Sequence, residues 1–110
     1  MLRLNYNVNK GIMFIRLEGV FDNKSFNMFS NNINYLLYNQ GIHYYVFNFK
    51  DVNKYDRNVL IKLNNKLKEI LLKCGKVVMC GVSDLLKKEV YSDNVLFINK
   101  ELDVFNYISL

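Results

Sequence analysis

Two kinds of apolar spacing alternate along this chain of 110 residues, and this alternation constrains its fold more than any other feature. Short runs with an apolar residue at every second position are typical of β-strands, and longer stretches with apolar residues three or four apart are typical of helices. Their order along the chain is ββαβαβαβα. This order predicts an α/β fold with a mixed, mainly parallel sheet of about five strands and right-handed crossovers. We expect one domain covering residues 1–110.

The second predicted helix, from Asp56 to Lys73, has the clearest pattern. Its apolar residues form one stripe, and its lysines and a glutamate are expected on the opposite, solvated side. The stripe contains Leu60, Leu63, Leu67, Ile70 and Leu71, and the opposite side contains Lys62, Lys66, Glu69 and Lys73. The core of the domain is predicted to include Leu63, Leu67, Ile70, Val46, Phe47 and Val78.

The remaining elements are predicted from shorter patterns. Residues 2–8 and 12–18 are expected to form a hairpin, and Gly19 is expected to end its second strand. A first helix, with capping residues at 22–25, is expected to end near Gly41. Further strands are expected at 43–49, 76–80 and 95–98, with helices at 84–90 and 101–108.

Three of the predicted loops, at 19–25, 50–57 and 81–84, follow the carboxyl ends of parallel strands. Such loops share one edge of an open α/β sheet, where functional sites usually lie. Asp22 and Asp56 both fall in these loops and could form a catalytic carboxylate pair. No suitable nucleophile and base accompany them, so we favour a turn position for Asp22 and helix capping by Asp56. We therefore predict no catalytic residues, no metal site and no cofactor.

The charge and the cysteines also bear on function. The net charge is +5, but lysine recurs throughout the sequence, which makes this balance weak evidence for an anionic partner. Glu69 interrupts the lysines of the second helix and the aromatic residues fall on strand or core positions, so we predict no nucleic-acid binding. Cys74 and Cys80 are expected to be free thiols, and His43 is expected to be structural.

The sequence shows no signal for export or membrane insertion. No apolar run approaches the roughly 20 residues that span a bilayer, and the first ten residues alternate polar and apolar instead of forming a signal-peptide core. We therefore expect a cytoplasmic protein without membrane insertion.

Three segments resemble landmarks of the STAS domain family. Ile15–Asp22 resembles a strand that ends in a glycine and an acidic turn, and Tyr45–Asp56 resembles a buried strand leading to an aspartate at the start of the second helix. Val77–Ser83 resembles the strand and turn that follow. The resemblance implies a STAS-like fold over nearly the whole chain and a non-catalytic protein-interaction module like the bacterial anti-sigma factor antagonists.

The sequence departs from that family at the start of the second helix. Phosphorylatable STAS domains resemble Asp-Ser-Ser-Gly-Leu there, with the second serine as the phosphoacceptor, whereas this chain has Asp56-Arg57-Asn58-Val59-Leu60. Asn58 takes the acceptor position and has no hydroxyl group. A phosphate would add nearly two negative charges to the surface that a partner must cover. The resemblance thus implies a binding surface that is permanently available or regulated elsewhere.

The resemblance also implies where a protein partner would bind. The candidate partner-binding residues are Asp22, Asn23, Tyr55, Asp56, Arg57, Asn58, Ile61 and Ser83. The expected partner is a GHKL-type anti-sigma factor kinase or another STAS protein, and the alternative function is a structural subunit that assembles with other STAS proteins. Ile61 and Leu72 lie outside the core stripe of the second helix, so they either contact a neighbouring helix or form an exposed apolar strip.

Overall fold

The computed structural model describes residues 1–39, 41–74, 76–90 and 94–107. Within them, a five-stranded sheet has the spatial order β1-β2-β3-β4-β5, with β1 antiparallel to β2 and the other neighbours parallel. The strands are β1 (Leu2–Asn9), β2 (Ile12–Phe21), β3 (Tyr44–Tyr55), β4 (Lys76–Cys80) and β5 (Val95–Ile98), and the helices are α1 (Asn23–Asn39), α2 (Arg57–Cys74), α3 (Asp84–Glu89) and a 3₁₀ helix (Glu101–Asn106). The predicted mixed, mainly parallel sheet is confirmed.

The hairpin of β1 and β2 turns through Lys10 and Gly11, whose φ angles are both positive at 54° and 79°. Two consecutive residues with positive φ define a type I′ turn, whose twist matches that of the strands it joins. The pairing is continuous from Asn9 opposite Ile12 to Leu2 opposite Gly19. β1 is therefore an edge strand without a bulge.

Gly19 does not end β2 as predicted, because the strand continues to Phe21. The φ angle of Gly19 is 105°, which glycine adopts readily and other residues rarely do. A Cβ atom at this position would lie 2.2 Å from the carbonyl oxygen of Met1. The pairing register between β2 and β3 shifts between Gly19 and Val20. Glycine accommodates this irregularity without ending the strand. Pairing with β3 continues on both sides of this irregularity.

The segment 50–55 is also strand, where a loop was predicted. β3 runs past the end of β4 and remains paired with the extension of β2, so that Val20 lies opposite Lys54 and Phe21 opposite Tyr55. The polar composition of this segment reflects its exposure beyond β4 and does not reflect a loss of strand pairing. Two strands therefore project beyond β4.

All three α-helices pack against one face of the sheet. Successive right-handed crossovers in the same direction along a sheet place every helix on the same side, and the main core indeed joins residues of α1, α2 and α3 to this face. Its members include Phe29, Phe47, Leu63 and Leu86, all nearly or fully buried. The six residues predicted for the core, namely Leu63, Leu67, Ile70, Val46, Phe47 and Val78, are all buried.

The opposite face of the sheet carries a smaller apolar cluster. The 3₁₀ helix covers it through Val104 and Phe105, and its other members come from β2 to β5: Ile12, Phe14, Tyr44, Val46, Val78, Cys80 and Ile98. The prediction of a closing helix at 101–108 was wrong in type, because the residues from Glu101 to Asn106 form a 3₁₀ helix. Ile108 lies outside the described residues.

Lys66 is not on a solvated side of α2, which corrects the sequence prediction. Its side chain is only 5% exposed, between α1 and α2, and donates hydrogen bonds to Asn34 and to Glu69, the latter over 3.1 Å. The long aliphatic stem of lysine can lie along an apolar helix contact while its ammonium group reaches polar atoms. Periodicity alone assigned Lys66 to the wrong side because it treats lysine as wholly polar.

Candidate functional site

The carboxyl ends of β2, β3 and β4 lead into the first turns of α1, α2 and α3, and we call this surface the rim. Each helix is capped there by a side chain of the predicted set. The amide of Ser25 donates to Asp22 Oδ1 over 3.0 Å, and the amide of Val59 donates to Asp56 Oδ1 over 2.8 Å. The amide of Leu86 donates to Ser83 Oγ over 3.2 Å. Asp22, Asp56 and Ser83 thus fix the three helix starts.

Tyr55 lies at the centre of the rim. Its hydroxyl group and that of Ser83 are 2.8 Å apart and share a hydrogen bond, which joins the end of β3 to the start of α3. On one side of Tyr55 is a depression of about 370 Å³ that Asp22 and Asp56 also line. On the other side is one of about 210 Å³ that extends to Ser83 and Leu86. The structure therefore brings Asp22, Tyr55, Asp56 and Ser83 together.

The first turns of α2 present the other predicted residues to solvent. Arg57 and Asn58 are exposed at the start of the helix, and Ile61 is 57% exposed one turn further on. Leu72 is 89% exposed near the end of the same helix. Ile61 and Leu72 are therefore both exposed, and no neighbouring helix covers either of them. Asn23 is exposed as the first residue of α1.

The two rim carboxylates are occupied as helix caps. The amide of Ser25 lowers the pKa of Asp22 by hydrogen bonding, an effect that outweighs the opposing desolvation, and the Ser25 hydroxyl group adds to it. Asp56 accepts the amide of Val59, as described above. Among the described residues no group of three histidine, cysteine or acidic side chains is arranged to hold a metal ion. The rim is thus built as a polar surface around an aromatic residue.

Sequence reasoning missed a second polar cluster, on the sheet face that the 3₁₀ helix covers. Arg16 of β2 donates to both carboxylate oxygens of Glu101, over 2.8 and 2.7 Å, and Asn48 of β3 donates to the same carboxylate over 2.7 Å. Asn7 of β1 accepts a further hydrogen bond from Arg16 over 3.1 Å. Because Arg16 and Glu101 are 85 residues apart in sequence, no local pattern reveals their contact.

The electrostatics of this cluster favour the ionised pair. Burial acts to raise the pKa of Glu101, but the hydrogen bonds from Arg16 and Asn48 outweigh it and leave the pKa lowered. The hydrogen bond to Glu101 raises the pKa of Arg16 in turn. Burial raises the pKa of the nearby Cys80 to about 12, so this free thiol is protonated at neutral pH. The predicted free thiol at Cys80 is confirmed, whereas the side chain of Cys74 lies outside the described part.

The lysines of α2 do not form one exposed basic stripe. Lys66 is buried, and the ammonium group of Lys62 lies 5.8 Å from the centre of the Phe26 ring on α1.

His43 is exposed just before β3. None of the helices within the described ranges is long and apolar enough to cross a bilayer.

Fold and rim together define a small α/β domain with three helices on one sheet face and their N-termini gathered at one surface. The chain belongs to the STAS domain family, whose family model matches residues 3–107. The predicted family membership is confirmed. Comparison with the curated proteins gives no significant match.

Solved structures of this architecture include anti-sigma factor antagonists. The antagonist SpoIIAA in its unphosphorylated form gives a TM-score of 0.76 over 97% of this chain and 96% of its own, at 16% identity. The phosphorylated Bacillus SpoIIAA gives 0.70 over 98% and 100%, at 15% identity. An antagonist from Mycobacterium paratuberculosis gives 0.78 over 98% and 94%, at 12% identity. At such identities the likeness establishes a shared fold.

Proposed function

We propose that this STAS domain is a non-catalytic, cytoplasmic protein-interaction module of the anti-sigma factor antagonist kind, which binds its partner through the rim and the first turns of α2. The observation that carries the proposal is the juxtaposition at one surface of a half-buried Tyr55, an exposed Arg57 and an exposed Ile61. Tyrosine and arginine are enriched in protein interfaces, and an apolar residue beside them supplies area that a partner can cover.

Asn58 supports a further proposal, which is that phosphorylation at this position does not regulate binding. It lies exposed within the first turn of α2, next to Asp56, where the family resemblance places the phosphoacceptor serine. SpoIIAA is known in an unphosphorylated and a phosphorylated form. A carboxamide cannot accept a phosphoryl group, so we propose that this surface resembles the unmodified state at all times.

The proposed partner is a protein, either a GHKL-type anti-sigma factor kinase or another STAS protein. A partner that covers the rim must desolvate the region around Asn58, which is neutral and therefore costs less to bury than a phosphoserine would. The alternative function is a scaffold subunit that assembles with other STAS proteins. These two functions differ in whether the start of α2 is covered by the partner.

A charge substitution at the acceptor position tests the proposal. The partner would first be captured from the native cell, identified and purified, and then titrated calorimetrically with wild type, Asn58→Asp and Asn58→Ser. We expect Asn58→Asp to weaken binding by roughly 5- to 150-fold, which corresponds to about 1–3 kcal/mol for desolvating an added carboxylate. Asn58→Ser should bind like the wild type, because it remains small, neutral and polar.

The matched control is Asn31→Asp, which adds the same charge at an exposed position of α1 two turns beyond its start. It should leave the affinity unchanged. Asn58→Asp should stay folded, since a negative charge in the first turn of a helix is favoured by the helix dipole. Equal affinity of Asn58→Asp and wild type would show that the partner binds elsewhere, and the scaffold function would then be preferred.

A further inference from the structure

The outer edge of β1 is a second surface, distinct from the rim. Among the residues that the structure describes, β1 lies at one end of the sheet and pairs on one side only, with β2. It has eight residues, whereas β5 at the opposite edge has four. An edge strand presents its unpaired amides and carbonyls as a template for another strand, and natural proteins usually interrupt long edges with charged side chains, proline or a bulge. β1 has no proline, lysine or bulge, and its one charged residue is Arg3, near its start.

The hairpin geometry shows which backbone groups face outward. In a two-residue type I′ hairpin, the residues flanking the turn form a hydrogen-bonded pair, here Asn9 and Ile12. Hydrogen-bonded pairs alternate along the ladder, so the odd-numbered residues of β1 direct their amides and carbonyls to β2. The even-numbered residues direct theirs away from the sheet. These are Leu2, Leu4, Tyr6 and Val8.

The side chains of the same residues form an incomplete apolar row on the helix-covered side of the sheet. Leu2 is 4% exposed and Leu4 is partly buried against the main core, whereas Tyr6 is 44% and Val8 50% exposed. The row is thus covered at its beginning and uncovered at its end. A strand running antiparallel to β1 with the same sequence would place its covered end beside the uncovered end of the first.

We propose that a second copy of this chain pairs with β1 along this edge, around a two-fold axis at Asn5. This register sets Leu4 opposite Tyr6 of the second copy and Leu2 opposite Val8 of the second copy. Each of these pairs consists of residues whose backbone groups face outward, so each exchanges two main-chain hydrogen bonds. The two sheets become one continuous sheet, and each exposed apolar side chain meets a leucine across the edge.

The polar side of the edge is also self-complementary in this register. Asn5 lies opposite Asn5 of the second copy, and Arg3 lies opposite Asn7 of the second copy. Arg3 is the only charged residue of β1, so no two like charges face each other. A foreign strand would satisfy the backbone equally well, but nothing in β1 selects one, whereas its own sequence matches both rows of side chains.

Two isosteric substitutions on one face of β1 test this register with opposite expectations. Asn5→Asp places two carboxylates directly opposite each other across the axis, and we expect it to weaken the dimer about tenfold or more. Asn7→Asp places its carboxylate opposite Arg3 of the second copy, so the dimer should form as well as in wild type or better. Both variants should fold, because Asn5 pairs with Arg16 within the chain and Asn7 already accepts from Arg16.

The measurement is sedimentation equilibrium of the full chain from about 1 μM to about 1 mM, with circular dichroism to verify folding. Wild type should show a reversible monomer–dimer equilibrium. A wild type that is monomeric at every concentration overturns the proposal and leaves the edge for a strand of another protein. A dimer that Asn5→Asp and Asn7→Asp weaken equally overturns the register and with it the proposal.

Cysteine cross-linking provides a second readout that does not depend on charge. Asn5 and its symmetry mate form a non-hydrogen-bonded antiparallel pair, whose Cα atoms lie about 4.5 Å apart, within the range of a disulfide. In a Cys74→Ser background, where Cys80 is buried, Asn5→Cys should form a covalent dimer under mild oxidation. Asn7→Cys should not, because it faces Arg3. Equal cross-linking of the two variants contradicts the proposed pairing.

Discussion

The two faces of the sheet are held by different means. On one face, three helices cover a large apolar core in which residues such as Phe29 and Leu63 are completely buried. On the other face, a six-residue 3₁₀ helix covers a small apolar cluster and is attached by the ion pair of Arg16 with Glu101. The first face depends on the summed burial of many side chains, and the second depends on a small apolar cluster and on the long-range polar contacts of Glu101 with Arg16 and Asn48.

This difference shows how stability is distributed in the domain. Burial of apolar area contributes in proportion to the area removed from water, so the helix-covered face should carry most of the free energy of folding. The 3₁₀ helix buries little, and its attachment should be the weaker unit that opens first. Substitutions on the two faces should therefore differ in size and in pH dependence.

The largest expected effect comes from shortening a side chain in the main core. Leu63→Ala should lower the free energy of unfolding by about 2–5 kcal/mol, because it removes buried methyl groups and leaves a cavity that tightly packed helices cannot fill. Ile98→Ala, beneath the 3₁₀ helix and 8% exposed, should cost an amount near the lower end of that range, because its surroundings can shift. Urea unfolding of both variants measures this, and equal losses would contradict the contrast between the faces.

An intermediate effect is expected at the ion pair. Glu101→Gln should lower the free energy of unfolding by about 1–2 kcal/mol at neutral pH, because Arg16 and Asn48 lose their charged acceptor. Glu101 has a lowered pKa in the folded chain, so its contribution is fully present above the pKa of about 4.3 that glutamate has when unfolded. That contribution is lost as the pH falls through the folded pKa.

Urea unfolding of wild type and Glu101→Gln from neutral to acidic pH measures this linkage. The difference between the two proteins should shrink as the solution becomes acidic, while the loss caused by Leu63→Ala should change little. A difference that stays constant down to acidic pH would mean that the carboxylate charge of Glu101 does not stabilise the fold.

The smallest effect is expected for the buried polar contact on the helix-covered face. Lys66→Met should change the free energy of unfolding by less than about 1 kcal/mol, because the remaining partner Glu69 is 41% exposed and can be hydrated, while methionine fills the space of the lysine stem. Lys62→Met serves as the exposed control on the same helix. Thermal unfolding measures both. A loss above about 2 kcal/mol at Lys66 would show that polar contacts are as important on this face as on the other.

The sequence predicts the helix-covered face better than the opposite face. The spacing of Leu63, Leu67 and Ile70 identifies the buried side of α2 because helical periodicity is a local property. The extension of β2 beyond Gly19 and of β3 to Tyr55 was missed, because each segment is kept in the sheet by the other and neither looks like a strand alone. The 3₁₀ helix was mistaken for an α-helix, because over only six residues the two kinds of helix give similar apolar spacing.

The candidate site was predicted in part. Asp22, Asp56 and Ser83 are recognisable as caps, since short polar side chains before a helical pattern are its usual first residues. The hydrogen bond of Tyr55 with Ser83 joins residues 28 positions apart and follows from the parallel arrangement of β3 and β4, which local sequence does not specify. The exposure of Ile61 depends on what packs beside α2, so the helical pattern alone could not decide whether Ile61 is exposed or covered by a neighbouring helix.

The spatial order of the strands repeats their order in the sequence. During synthesis, each new strand can therefore join a neighbour that has already left the ribosome, and the sheet widens in the direction in which the chain is made. Short loops between contacting segments reduce the entropy lost on closure and favour rapid folding. The pairing of Arg16 with Glu101 is the exception, because Arg16 must wait for 85 further residues before its partner is made.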